Sequence, residues 1–273
     1  MNIKNIIQIT SLFILLIVGN NSFADSLTTK SIEVEAFSRI ENHTAGSIEL
    51  IQGPETKLIV ETEADLFDQL KIKIKGDTLI LASEKGKGFF NSHSPFNNKP
   101  LHFTITTPKI EAISLHASGD LASKEIESDR LTLAIHGSGK MKIDAIDAEY
   151  LSASINGSGS IKTNQIANEH LQVAIHGSGE ADLGKVSSID TEMAIHGSGD
   201  IDIRELSGEE LEVNIYGSGD IQMPQVDLVK IAGSIHGSGD IRLGGRAKSL
   251  EVRVHGSGDV NTAGFAADRI IIR

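Results

Sequence analysis

Residues 131–143 read LTLAIHGSGKMKI, and the tetrapeptide at their centre recurs through the second half of the chain. Eight copies follow one another at intervals of twenty residues, except for the last interval, which is nineteen. The copies begin at His116, His136, Asn156, His176, His196, Tyr216, His236 and His255. Self-similarity at a fixed period of roughly 20–50 residues is typical of solenoids, propellers and other repeat architectures.

The side chains around each tetrapeptide alternate with a period of two residues. Leu131, Leu133, Ile135 and Met141 share one parity, which continues through both glycines, and polar or small residues take the other. This alternation predicts β-strand, because successive side chains of a strand point to opposite sides. The glycines fall at inward positions, where a tight corner leaves no room for a Cβ. Each motif therefore predicts a bend in the chain rather than a reversal.

Aligned copies of the repeat share apolar columns. The residue before the tetrapeptide is Leu, Ile or Val in every copy, from Leu115 to Val254. Two further apolar columns lie five and ten residues after its first position, and Arg246 is the one break, in the nineteen-residue copy. Such columns favour parallel stacking of whole coils over hairpins, whose copies would alternate in direction. The predicted fold is all-β: a single-stranded parallel β-helix, or solenoid, with about 20 residues per coil.

The chain divides into three predicted regions. Residues 1–24 combine Lys4, an apolar run over residues 12–18 and a small-x-small site at residues 22–24, which predicts a cleaved signal peptide. Residues 25–110 are β-rich without the repeat and are predicted to be an irregular N-terminal cap or degenerate coils, with a long loop at residues 84–100. Residues 111–273 are predicted to be the regular β-helix.

The predicted signal peptide also indicates where the protein resides. Its apolar run is shorter than the roughly 20 residues that a membrane-spanning helix needs, so no stable membrane insertion is expected after cleavage. We therefore expect an exported protein, located in the periplasm or at the cell surface or outside the cell.

Composition argues against several classes of function. The net charge of −12 makes nucleic acid a poor partner, because an acidic surface does not neutralise phosphates. The absence of cysteine excludes disulfides, thiolate metal sites and a cysteine nucleophile. Aromatic residues make up only 4% of the chain, and Phe89, Phe90 and Phe96 are the one candidate platform for a sugar ring. A carbohydrate-active enzyme on the same fold is therefore an alternative rather than the favoured interpretation.

Together, the repeat and the β-rich segment that precedes it resemble a known family. The GSGD-type repeat follows a β-rich segment that contains Ile48-Glu49-Leu50-Ile51-Gln52-Gly53 and Gly76-Asp77-Thr78-Leu79-Ile80-Leu81. Over about residues 32–270 the chain is similar to the "putative auto-transporter adhesin, head GIN domain" family. The resemblance implies a parallel β-helix in an envelope-associated bacterial protein, and it implies no catalytic residues.

Parallel stacking would turn the first position of the motif into a ladder of imidazoles. His176 would lie beside His196, and His236 beside His255, about 4.8 Å apart. Paired imidazoles could share a zinc ion, so these four residues are the candidate metal ligands. The favoured interpretation is an outward structural ladder, so the sequence predicts no metal, no cofactor and no catalytic residue.

An acidic column lies four residues after the imidazole column. Weak calcium binding is one interpretation, and the favoured one is a solvated face whose carboxylates bond turn amides. The column consists of Asp120, Glu180, Asp200, Asp220, Asp240 and Asp259.

These observations predict an exported, non-enzymatic solenoid that acts as an adhesin-like binding module or as a structural part of the bacterial envelope. Its ligand would be a glycan or a protein of the envelope or the cell exterior. A metal-binding His/Asp ladder is the second alternative. Residues 268–273 start a final coil whose edge is flanked by Arg269 and Arg273. Homo-oligomerisation through this terminal strand edge is a further expectation.

Overall fold

Long strands make up nearly all of the repeat region in the computed structural model, which describes residues 27–83 and 99–273. The predicted signal peptide and residues 84–98 of the predicted loop lie outside the described residues. The strands before the repeat are β1 (Leu27–Ile32), β2 (Arg39–Asn42), β3 (Ser47–Gln52), β4 (Lys57–Glu63), β5 (Leu70–Lys75), β6 (Thr78–Ser83), β7 (Leu101–Thr107) and β8 (Ala112–Leu115), with a 3₁₀ helix at Ala64–Gln69. Those of the repeat are β9 (Leu121–Ile135), β10 (Lys140–Gly157), β11 (Ser160–Gly177), β12 (Glu180–Gly197), β13 (Asp200–Gly217), β14 (Ile221–Gly237), β15 (Ile241–Gly256), β16 (Val260–Asn261) and β17 (Phe265–Ile272).

Consecutive strands of the repeat pair in parallel with an offset of one coil. Ile155 pairs with Ile175, Ile175 with Ile195, and Ile195 with Ile215, so equivalent residues of successive coils are nearest neighbours. The same parallel pairing extends from β9 to β15. The predicted parallel β-solenoid of about 20 residues per coil is thereby confirmed.

Each coil has three sides separated by corners. In β10 the buried positions change parity after Ile143 and again after Ala148, and two outward residues stand at each change. The parallel ladder between β10 and β11 omits Asp144 and Glu149 at these places and stops at Gly157. The Gly-Ser-Gly segment is therefore one of three corners, and in β10 the other two corners contain no glycine.

The nineteen-residue coil absorbs its missing residue at a corner. Met223 pairs with Leu243 at an offset of twenty, but Val226 pairs with Gly245 at an offset of nineteen. The sequence alignment of Arg246 with the apolar column was therefore wrong, because the gap lies before Gly245. Arg246 points outward, where its guanidinium forms an ion pair with Asp227, which lies beside it in register.

The coil nearest the repeat array comes from the N-terminal region, far away in sequence. β2 lies parallel between β6 and β8, and β3 lies parallel between β7 and β9. Ile40 thus pairs with Ile113, seventy-three residues later. The strands β1, β4, β5, β6 and β7 add antiparallel pairings outside this coil.

One apolar core runs along the inside of the stack. Its column of Ile135, Ile155, Ile175, Ile195 and Ile215 is almost fully buried. The same cluster continues into the N-terminal strands through residues such as Phe103 and Leu81. Within the described residues no helix has the length and hydropathy to cross a membrane.

Candidate functional site

The first residues of the Gly-Ser-Gly motifs form stacked columns on the outside of the solenoid. The rings of His176 and His196 lie 4.8 Å apart, and His236 and His255 are separated by the same distance. Tyr216 lies between these pairs, 4.9 Å from His196 and 5.1 Å from His236. Tyr216 therefore continues the stack, whereas the sequence analysis predicts two separate pairs.

The geometry of this column does not gather a complete metal site around the candidates. The ring planes of His176 and His196 are 2° apart, and those of His236 and His255 are 19° apart. Ring-nitrogen lone pairs lie in the ring plane, so those of stacked rings point side by side rather than towards one ion. In the described part of the chain, no group of three potential ligand atoms includes any of these four residues.

The acidic column forms a hydrogen-bonded ladder with the backbone. The Asp200 carboxylate accepts a hydrogen bond from the Asp220 amide at 2.9 Å, and Asp220 accepts one from Asp240 at the same distance. The Asp240 carboxylate in turn accepts from Asp259, and Arg242 donates to both Asp220 and Asp240. Partial burial opposes ionisation of Asp220, but the hydrogen bonds from Arg242 and Asp240 outweigh it and lower the pKa. Backbone amides and the Arg242 guanidinium thus offset much of the negative charge of these carboxylates.

A shallow groove of about 360 Å³ runs across five neighbouring coils, on a different side of the solenoid from the acidic column. At one end the ring of Tyr150 stacks on His170 at 4.6 Å and carries Arg130 at 4.4 Å on its other face. The groove then passes four carboxylates and ends at Lys230. The carboxylates belong to Asp190, Glu192, Glu210 and Glu212.

Each of these carboxylates has a side-chain partner. The Asp190 carboxylate lies 3.2 Å from His170, and the Glu210 carboxylate lies 3.4 Å from Lys230. Glu192 accepts a hydrogen bond from Gln172, and Glu212 accepts one from Asn214. These partners hold the acidic groups in position along the groove, where their remaining lone pairs can accept hydrogen bonds from a ligand.

Sequence reasoning missed the groove and one member of the imidazole ladder. His43 stacks on His116 at 4.2 Å, although it lies outside the twenty-residue register. A possible signal for the groove was the column Tyr150, His170 and Asp190, three chemically distinct residues at one repeat position. The candidate platform of Phe89, Phe90 and Phe96 lies outside the described residues.

This fold and surface define a parallel β-solenoid that presents ladders of polar side chains. The model of the family described as "putative auto-transporter adhesin, head GIN domain" matches residues 36–207 and 191–273. The chain belongs to this family. A search of curated proteins gave no match.

Solved structures share the fold over nearly the whole chain. A "putative lipid binding protein" from Parabacteroides distasonis ATCC 8503 is 22% identical, with a TM-score of 0.77 over 87% of this chain and 96% of that one. A "putative adhesin" from Bacteroides fragilis NCTC 9343 is 22% identical, with a TM-score of 0.67 over 88% and 98% of the two chains. Another from Parabacteroides merdae ATCC 43184 is 18% identical, with a TM-score of 0.76 over 87% and 96%. At these identities the similarity establishes the fold alone.

Proposed function

We propose that the chain is an exported, non-enzymatic, adhesin-like module that binds a glycan of the bacterial envelope or the cell exterior along the groove between Tyr150 and Lys230. The observation that carries the proposal is the continuity of this groove across five coils, with carboxylates at successive coil positions. The signal-peptide pattern of residues 1–24 supports export. Family membership and the adhesin names of similar structures support a binding role.

A glycan suits the chemistry of the groove. Sugar hydroxyls donate hydrogen bonds to carboxylates, and the repeated coil spacing of about 4.8 Å is close to the length of one sugar ring. Glu192 pairs with Glu212 in register, so their carboxylates repeat along the rod and can bind successive units of a chain. Many small contacts of this kind add up to useful avidity when the ligand is itself repetitive.

Substitution of Glu192 and Glu212 by Gln is expected to weaken glycan binding by about tenfold or more. The change keeps the shape of the groove and the strand pairing but removes two charge-assisted acceptors, each of which contributes more than a neutral one. Binding to a glycan array, followed by calorimetry on the best ligand, measures the effect.

The matched control is the double substitution of Asp200 and Asp202 by Asn, which removes the same charge from a different side of the solenoid. We expect the control to bind the glycan as the unsubstituted protein does. Equal losses in both variants would contradict the placement of the site. Turnover of the glycan, or binding to phospholipid vesicles without any glycan binding, would contradict the proposed function.

The terminal strand is the proposed contact between two copies of the chain. β17 pairs with β15, and no strand of the described residues pairs with its other edge. Ile270 and Ile272 stand above the buried Leu250 and Val252, yet they are 46% and 43% exposed. The edge therefore combines free backbone groups with exposed side chains that point along the core column.

The sequence of β17 is complementary to itself in the antiparallel sense. If Phe265 lies opposite Ile272 of a second copy, Ala267 lies opposite Ile270, so core-facing residues meet core-facing residues. In the same register Asp268 lies opposite Arg269, which pairs opposite charges at the corner. Such self-complementarity is what a two-fold interface requires.

Replacement of Ile270 by Lys is expected to convert a dimer into a monomer. The lysine ammonium would face β17 of the second copy, where no anion lies opposite it. Burial of this unpaired charge opposes association. Sedimentation velocity over a concentration series measures the oligomeric state. The control is Ile189→Lys at an equally exposed position, 45% exposed, away from the end of the stack. A monomeric unsubstituted protein, or dissociation by the control as well, would contradict the proposed contact.

A further inference from the structure

We infer that Glu41, His43 and His116 form a binding site for a divalent transition-metal ion, with zinc the ion that fits best. In the part of the chain that the structure describes, these residues form the only group of three or more potential metal ligands. Their ligand atoms lie within 4.8 Å of one another. The site joins the N-terminal coil to the first coil of the repeat. It is distinct from the imidazole pairs at residues 176, 196, 236 and 255.

Strand geometry places the three side chains on one surface. Glu41 and His43 flank the fully buried Asn42, so their side chains point to the same outer side. Asn42 pairs with Leu115 in the neighbouring parallel strand, which sets His116 beside His43. Two ligands spaced by one residue on a strand, with a third across the ladder, give three donors on one face.

The backbone under these side chains is firmly held. The His43 amide donates to Leu81 at 2.8 Å, and the His116 amide donates to Asn42 at 2.8 Å. The Asn42 side chain fixes the turn that follows, because its oxygen accepts from the Thr44 amide and its nitrogen donates to Gly46. Only side-chain rotation is therefore needed to adjust the donors, which limits the entropy lost on binding.

One of the donor distances already matches that of a metal site. The Glu41 carboxylate lies 3.3 Å from Nε2 of His43, which is about the ligand–ligand separation around a tetrahedral zinc with bonds of about 2.0–2.1 Å. The rings of His43 and His116 are stacked, with centroids 4.2 Å and planes 8° apart, so in this arrangement their lone pairs point side by side, as in the other pairs. Rotation of the partly exposed rings about their Cβ–Cγ bonds would turn both lone pairs towards one ion and leave a fourth position for water.

The chemistry of the set favours zinc over calcium. Two imidazoles and one carboxylate match the donors found in zinc sites with an open position, whereas calcium takes six to eight oxygens.

The carboxylate separates this site from the rest of the ladder. Two residues before the other imidazoles there is no acidic residue to serve as a third ligand. Those positions hold Ala134, Ala174, Ala194, Ser234 and Arg253. The same stacked geometry without a carboxylate therefore provides an internal control within the chain.

Titration of the tag-free protein with zinc chloride in a calorimeter tests the inference. We expect one zinc ion per chain and at least about a tenfold loss of affinity in both His43→Ala and Glu41→Gln, since even an outer-shell partner of a metal ligand contributes 10–100-fold. The affinity should also fall below about pH 6, where imidazoles become protonated. Calcium chloride should give no comparable binding.

The matched control is His196→Ala, which removes an equally stacked imidazole that has no neighbouring carboxylate. Its zinc affinity should equal that of the unsubstituted protein. Zinc binding that survives both His43→Ala and Glu41→Gln, or that His196→Ala abolishes instead, would overturn the inference. Absence of any zinc binding by the unsubstituted protein would overturn it as well.

Discussion

Replacing Gly199 by Ala should destabilise the solenoid by about 3 kcal/mol or more, at the upper end of what overpacking costs in a core. Gly199 is buried at a corner, and a Cβ there would overlap the carbonyl oxygen of Gly179. That oxygen accepts a hydrogen bond from the Asp200 amide at 3.1 Å, so it cannot move without loss of the contact between coils. The Cβ would also lie 2.7 Å from Cγ2 of Ile175. Urea unfolding followed by circular dichroism measures the effect.

Gly76→Ala is the control that separates crowding from backbone strain. Gly76 has a φ of +64°, and a Cβ there would meet no atom within 4 Å. This substitution should cost only the strain of a left-handed residue, about 1–2 kcal/mol. If Gly199→Ala lowers the free energy of unfolding no more than Gly76→Ala does, the glycines are not needed for the close approach of successive corners.

The regular part of the fold could be predicted from sequence because its information is local and repeated. The apolar column that contains Ile155, Ile175 and Ile195 fixes both the strand period and the identity of the neighbouring strand. Corners without glycine are also encoded, since the apolar columns change parity between Ile143 and Ile146. The misplacement of Arg246 arose because a one-residue gap can be located only from its hydrogen-bonded partners.

The N-terminal coil and the proposed sites depend on contacts that the sequence does not repeat. His43 joins His116 because β2 pairs in parallel with β8, a strand about seventy residues later in the chain. The groove at Tyr150 is lined by side chains from five successive coils. His43 lies outside the repeat, and the column Tyr150, His170 and Asp190 marks only one end of the groove, so strand pairing and side-chain positions were needed to find both features.

Deletion of one complete coil, residues 181–200, should leave a folded protein. Ile215 would then take the position of Ile195, and Gly219 the position of Gly199, so every apolar and glycine column would remain continuous. Lys162 would face Asp202 in place of its present partner Asp182. In a solenoid each repeat contacts mainly its neighbours, so removal of one coil subtracts that coil and one interface. The denaturant m-value should fall by roughly a tenth, in proportion to the surface lost.

Deletion of half a coil, residues 191–200, should prevent folding of the repeat. Glu205 would take the buried position of Ile195, and Glu209 would take that of Gly199, where no Cβ is accommodated. An unpaired buried carboxylate and an overpacked corner each cost several kcal/mol, more together than a marginally stable domain can lose.

Urea unfolding of the two deletion variants side by side is the most direct measurement of in-register stacking. We predict a single cooperative transition with a β-type spectrum for the twenty-residue deletion and no cooperative transition for the ten-residue deletion. Equal stability of the two variants, or a folded ten-residue variant beside an unfolded twenty-residue one, would contradict the stacked arrangement of the coils.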